Sequence, residues 1–222
     1  MKRSICMKKI LICVISLALY TGAVFAEKTK VHGFGISVPI ESQFWYNDDV
    51  NDTTFSSVGL NLDYKNMCKH GDGFVGFSAI YEMQLGYFWG STDNTDYNWF
   101  DCFNIKWGWG IAFRPTEKII LAMHETLGFD FKLLWDQDDT PYPDFTTRTG
   151  WDFVFVYKLK DNLGISLGLD TYVPIVGIGL DNCTESEWDS YYGRYKEKDS
   201  TEVFTIYGGF GCDLKFGLCW VY

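Results

Sequence analysis

Phe204-Thr205-Ile206-Tyr207-Gly208-Gly209-Phe210-Gly211-Cys212-Asp213-Leu214-Lys215-Phe216-Gly217-Leu218-Cys219-Trp220-Val221-Tyr222 closes the chain with ten even positions that are apolar or glycine. The odd positions Thr205, Gly209, Gly211, Asp213, Lys215 and Gly217 are small or polar. Alternate side chains of a β-strand point to opposite faces, so this period of two predicts a long two-faced strand.

Working back from that strand, seven more segments carry the same alternation. Phe34, Ile36, Val38 and Ile40 form one face of the first; Val58, Leu60, Leu62 and Tyr64 of the second; Phe77 to Trp89 of the third; Phe103 to Phe113 of the fourth. Ile119 to Trp135 supplies the fifth, with Glu125 interrupting its apolar face, Trp151 to Tyr157 the sixth and Leu163 to Ile175 the seventh. Tight connections (66–73, 114–118, 160–162) alternate with loose ones (46–55, 90–99, 136–148, 179–201). Short turns at one end and long loops at the other are the pattern of a transmembrane barrel.

A secreted barrel with an apolar inside would show the same period, and the second face separates the two. Water-facing strand positions are normally filled with Lys, Glu, Thr and Arg. Here Gly, Ser and Ala dominate, with isolated charges. The bulky face carries aromatics expected near strand ends as interfacial girdles, among them Trp89, Phe103, Trp135, Trp151, Tyr157 and Tyr222. The fold expected is all-β: an eight-stranded antiparallel up-and-down transmembrane β-barrel, closed because an open edge in hydrocarbon leaves backbone groups unpaired.

Residues 1–26 read as a secretory signal peptide, with Lys2, Arg3, Lys8 and Lys9 ahead of an apolar stretch and Val24-Phe25-Ala26 before the cut. Residues 27–222 form the barrel domain. Losing four basic residues and no acidic one moves the net charge from −10 to −14, which argues against nucleic acid as a partner. Five of seven cysteines remain, with no C-x-x-C spacing to suggest zinc or thiol redox chemistry.

Lys215, Gly217, Trp220 and Tyr222 resemble the C-terminal assembly signal of bacterial outer-membrane proteins, although that family usually ends in Phe or Trp. In architecture the whole mature chain resembles the small barrels of the OmpA transmembrane-domain, OmpX and OmpW type. The resemblance implies an outer-membrane location with both termini periplasmic, and outer-membrane lipid and the outer-membrane assembly machinery as partners.

Eight strands enclose a lumen only wide enough to be filled by side chains. Strand counting puts Glu82, Lys106, Asp152 and Asp170 inward at similar depth with His124 slightly lower, predicting a paired lumen charge network. A gated small-ion path through the same residues is the sharper reading. Some barrels of this size cut or transfer acyl chains with His and Ser. Here His32 and His70 fall at the presumed periplasmic end, and His124 has only Ser78 or Ser166 near it, so no catalytic residue is assigned.

The loose loops are acidic, with Asp48, Asp49 and Asp52, then Asp93 and Asp96, then Asp136, Asp138, Asp139 and Asp144, then a mixed run from Asp181 to Asp199. No loop has EF-hand spacing, and neither a metal nor a cofactor is expected. Trp188, Tyr191, Tyr192 and Tyr195 in the fourth loop suit a host or envelope protein. The function expected is a non-enzymatic outer-membrane barrel with a filled lumen and a structural or surface-interaction role. A narrow channel, or a conduit for small apolar molecules like the OmpW group, is the alternative.

Overall fold

The computed structural model describes residues 29–47, 50–71, 73–91, 96–135, 141–160, 162–189 and 194–222. The expected signal peptide lies outside them. Eight strands run in order: β1 (Thr29–Asn47), β2 (Val50–Lys69), β3 (Val75–Ser91), β4 (Asp96–Thr116), β5 (Ile119–Trp135), β6 (Pro141–Lys160), β7 (Leu163–Asp189) and β8 (Arg194–Val221). Each pairs antiparallel with its neighbour, and β8 returns to β1 to close the ring.

The apolar face looks outward. Phe34, Ile36, Leu62, Trp89, Phe153, Phe210, Leu214, Phe216 and Leu218 are all exposed, while Glu41, Asp63, Glu82, Lys106, Asp152, Asp170, Asp213 and Lys215 are buried inside. Water as solvent would demand the reverse arrangement. A closed wall that is greasy outside and charged inside satisfies its backbone internally and presents mainly hydrocarbon-compatible side chains. The chain is a transmembrane β-barrel.

The long connections differ from expectation. Most of their residues continue the strands, so the hairpins are ladders rather than loops. The longest carries β7–β8 pairing on from Leu180↔Val203 to Asp189↔Arg194, whereas β6 stops following β7 at Gly179 and β1 stops following β8 at Thr205. Ten paired positions beyond the wall make a two-stranded ribbon about 30 Å long. Asp144 and Arg148, read from sequence as loop residues, lie buried in β6 and face the barrel interior. Alternation around them is hidden because the β6 run Thr146-Thr147-Arg148-Thr149 has no apolar contrast. Trp151 likewise sits mid-strand rather than at a strand end, because β6 begins at Pro141.

At the short-turn end the interior is apolar. Val31, Met67, Ile80, Ala112, Ile120, Ala122, Val154, Val156, Cys219 and Val221 pack into one buried cluster that floors the barrel. The expectation of a lumen dominated by small residues therefore holds only in part. Lys69 seals the adjoining turn by donating to Gly71 O (2.7 Å) and Gly73 O (3.0 Å).

Closure depends on two glycines facing each other across the β1–β8 seam, Gly35↔Gly217. A Cβ added at Gly217 would stand 2.6 Å from Phe34 O and 3.0 Å from Gly35 Cα. The strands approach that closely because neither carries a side chain there. Gly217→Val should therefore destabilise the barrel by about 1–3 kcal/mol. The measurement is the fraction of detergent-refolded protein that migrates differently on a gel before and after boiling.

Glu125 faces outward and is exposed, opposite Trp109 on β4 and Trp151 on β6, and no register shift in either ladder turns it inward. A carboxylate between two indoles on the lipid face opposes insertion, less so than Lys or Arg. Glu125→Leu is expected to stabilise the inserted barrel by on the order of 1–2 kcal/mol, read as a higher urea midpoint in lipid vesicles.

Candidate functional site: the lumen charge network

The inward positions of β2 to β8 converge on a layer of charge above the apolar floor. Glu82 on β3 and Lys106 on β4 are direct cross-strand partners, as are Asp152 on β6 and Asp170 on β7. Lys106 Nζ donates to Asp170 Oδ2 at 2.5 Å and lies 3.5 Å from Glu82 and 3.8 Å from Asp152. Lys215 Nζ donates to Glu82 Oε1 at 2.6 Å and to Asp152 Oδ1 at 3.2 Å, and lies 3.5 Å from Asp170. Each of two ammonium groups thus touches the same three carboxylates. Lys65, 4.0 Å from Glu82, supplies a third cation.

Lys215 belongs to this network by geometry, whereas the sequence reading had given it to the terminal signal. Its odd position in β8 was the signal for the inward side. Trp220 and Tyr222 face outward near the short-turn end of the wall, so the four residues of that motif divide between lumen and lipid.

Gln84 ties the layer to the one above. Its Nε2 donates to Asp213 Oδ2 (2.8 Å) and Glu82 Oε1 (3.0 Å), while its Oε1 accepts from Asn104 Nδ2 (2.9 Å) and Arg148 Nη2 (3.2 Å). In the upper layer Tyr172 OH and Lys132 Nζ both donate to Glu41, at 2.5 and 3.3 Å. Arg148 stands 3.5 Å from Asp130 and stacks 4.2 Å from the centre of the Tyr172 ring. Glu41, Asp63, Gln84, Asp130, Lys132, Arg148, Tyr172 and Asp213 were all missed as network members. Inward parity marks them within the expected strands, Arg148 excepted, but parity does not say which side chains meet across the lumen.

His124 is fully buried and its Nε2 lies 2.8 Å from Ser78 Oγ, with Asp152 its cross-strand partner. Three residue types of a hydrolytic triad therefore lie near one another, but His124 Nδ1 has no hydrogen-bond partner among the described residues, so Asp152 does not orient the ring. Ser78 Oγ, however, donates to Cys68 O at 3.1 Å. The hydrogen shared with His124 must then come from Nε2, which leaves the imidazole no lone pair there to activate the hydroxyl. Both side chains are 0% exposed, below the charge layer and above the floor, so no substrate carbonyl reaches them. His32 lies on the outer wall, 3.4 Å from Tyr64 OH, and His70 directly follows β2, beside Phe77.

Among the described residues no group of three or more His, Cys, Asp or Glu is placed to hold a metal ion. Cys68, Cys212 and Cys219 are free. The side chains of Cys102 and Cys183, of the ribbon aromatics Trp188 and Tyr195, and of Asp52 and Asp96 lie outside what is described, as do Asp48, Asp49, Asp93, Asp136, Asp138, Asp139, Tyr191 and Tyr192 altogether.

No family model matches the chain, and no curated protein matches it in sequence. Among solved structures it is similar to Ail, the attachment invasion locus protein of Yersinia pestis, at 12% identity over 86% of this chain and 99% of that one, with a TM-score of 0.35. It is similar to the outer membrane protein OprG from Pseudomonas aeruginosa at 8% identity, over 89% and 97%, with a TM-score of 0.49. The outer membrane protease OmpT from Escherichia coli follows at 7% identity, over 89% and 98%, with a TM-score of 0.38. These likenesses assign no activity to the present chain.

Removing one cation from a buried network leaves carboxylates without compensation. Lys215→Met should cost about 3–5 kcal/mol of stability, measured by urea unfolding in detergent micelles. Adding Asp170→Asn to that variant removes one of the stranded charges and should recover part of the loss.

Proposed function

We propose that the chain is a non-enzymatic outer-membrane barrel with a closed lumen and both termini on the periplasmic side, working through the acidic hairpins at its other end. The observation that carries this reading is the β7–β8 ribbon. A barrel that served only as a wall would stop its strands at the rim, as β6 and β1 do. This one extends a paired ribbon ten positions further, with edges that no strand of the chain covers among the described residues. Free edges are a surface on which an extended segment of another protein can dock.

The lumen supports the same view. The inward Lys, Arg, Asp and Glu side chains of the network are nearly all ion-paired or hydrogen-bonded, and the apolar cluster lies beneath them. Ions crossing it would have to break contacts that are expensive to leave unmade. Lys215, Gly217, Trp220 and Tyr222 fit the role of assembly signal for the outer-membrane assembly machinery, with the bilayer lipid itself as the other partner.

A second reading has one specific observation behind it. Between Tyr172↔Gly211 and Gly177↔Ile206 the β7–β8 ladder is interrupted. Pro174, which has no N–H to give, and Gly209, at φ 147°, fall within that stretch. An outer-wall groove of about 770 Å³, lined among others by Ser42, Ser56, Trp89 and Phe210, opens nearby. A conduit for small apolar molecules, leaving sideways into lipid, would use such a break.

Planar-bilayer recording and protease treatment of intact cells test the proposal together. The purified barrel is expected to give no discrete current steps, and protease is expected to cut within residues 180–203 while the cells remain sealed. Current steps would favour the conduit. Protection of the ribbon until the outer membrane is opened would reverse the orientation.

A further inference from the structure

Two neighbouring turns at the short-turn end concentrate positive charge in a chain that is otherwise acidic. The β4–β5 turn brings Arg114 and Lys118, and the β6–β7 turn brings Lys158 and Lys160. Lys158 N donates to Lys118 O at 2.8 Å, which fixes one turn against the other. Arg114, Glu117, Lys118, Lys158, Leu159 and Lys160 line a cavity of about 220 Å³ between them. Arg114 and Lys158 are half-buried, Lys118 and Lys160 exposed.

These four cations differ from most of those inside the barrel. Inside the barrel Lys65, Lys106, Lys132, Arg148 and Lys215 each face carboxylates within 4.0 Å. Among the described residues none of Arg114, Lys118, Lys158 and Lys160 has such a partner. Among the described residues Glu117 is the one carboxylate lining the cavity, and its carbonyl oxygen accepts from Arg114 Nη2 at 3.4 Å. Repulsion among four like charges is tolerated when an anion relieves it.

The apolar wall begins immediately above. Ile119↔Tyr157 and Leu121↔Phe155 are the first outward-facing rungs of β5–β6, and Leu159 is 50% exposed at the rim beside the lysines. A ligand held here would have its anionic end in the cavity and its apolar part along the wall. We propose that this site binds the phosphate of an anionic membrane phospholipid, its acyl chains lying on the outer face of β5 and β6. The assignment rests on the reading of the chain as a membrane barrel; with the short turns periplasmic, the lipid belongs to the periplasm-facing leaflet. Free phosphate shares the charge but has nothing to lay against Leu159 and Leu121. Basic residues at a membrane surface favour anionic lipid by about fivefold each before mutual repulsion.

The test incubates the detergent-folded protein with equimolar phosphatidylglycerol and phosphatidylcholine and counts retained lipids by native mass spectrometry. Wild type is expected to prefer phosphatidylglycerol by about tenfold at low salt. K118Q/K160Q should lose most of that preference and R114Q/K118Q/K158Q/K160Q all of it, with heat-modifiable migration unchanged. Should the quadruple variant fail to fold, the double variant, altered only at exposed positions, carries the comparison. Equal retention of the two lipids by wild type, or a preference that survives in the variants, overturns the site. Displacement of phosphatidylglycerol by millimolar inorganic phosphate overturns its assignment to lipid. A protein that stays folded and monomeric in buffer without detergent would defeat the membrane reading itself, a separate readout from either.

Discussion

The backbone of a strand in hydrocarbon has nowhere to send its N–H and C=O groups except to another strand, at several kcal/mol for each one left over. Everything else in the molecule follows from meeting that demand. Consecutive hairpins satisfy seven of the eight seams with contacts close in sequence, while the eighth joins the two ends of the chain, β1 to β8. That seam is where Gly35 and Gly217 face each other, and where bulk would push apart the two strands that turn a sheet into a wall. A glycine within a terminal motif thus has a steric reason to be there, independent of any recognition by assembly factors.

Once the wall is closed and its greasy face assigned to lipid, the interior must hold whatever the inward parity delivers. Eight strands leave too little room for bulk water, so inward charges have to answer one another. Lys106 and Lys215 do so by each bridging Glu82, Asp152 and Asp170, and Gln84 spends all its donor and acceptor capacity linking that layer to the next. Buried acids outnumber buried bases, eight to six among the described residues. The network therefore leans on neutral donors as well as cations: Ser37 to Asp63, Tyr172 to Glu41, Thr146 to Asp144.

Period-two alternation made the strand number, the antiparallel order and the outward face legible, because lipid and lumen impose opposite chemistry on successive residues of each strand. It made the depth of each residue far less legible. Asp144 and Arg148 were read as loop residues since polar runs look alike on a solvated loop and on a strand that has risen above the hydrocarbon. Lys215 was visible as inward, yet its partners on β3, β6 and β7 are 133, 63 and 45 positions away in sequence, a distance that no local pattern bridges. The apolar floor escaped notice for a different reason. Ile80, Ile120, Val154 and Val156 sit between outward apolar neighbours, where a continuous greasy run hides which members turn in.

The two ends of the barrel differ in charge as well as in length, and the difference constrains how the molecule sits. Acidic residues crowd the long hairpins, while Arg114, Lys118, Lys158 and Lys160 gather at the short turns directly beneath the apolar wall. A cation at the edge of the hydrocarbon is within reach of lipid phosphates, whereas the β7–β8 backbone ribbon runs on about 30 Å past the last rungs that β6 and β1 share with it. Reversing the barrel would move the cations to the other leaflet. The asymmetry therefore bears on the short-turn end, where the proposed lipid site lies. Glu125 stands apart from both ends, a carboxylate at mid-wall between Trp109 and Trp151, and its persistence there means that the stability of the closed wall is large enough to carry one unfavourable residue.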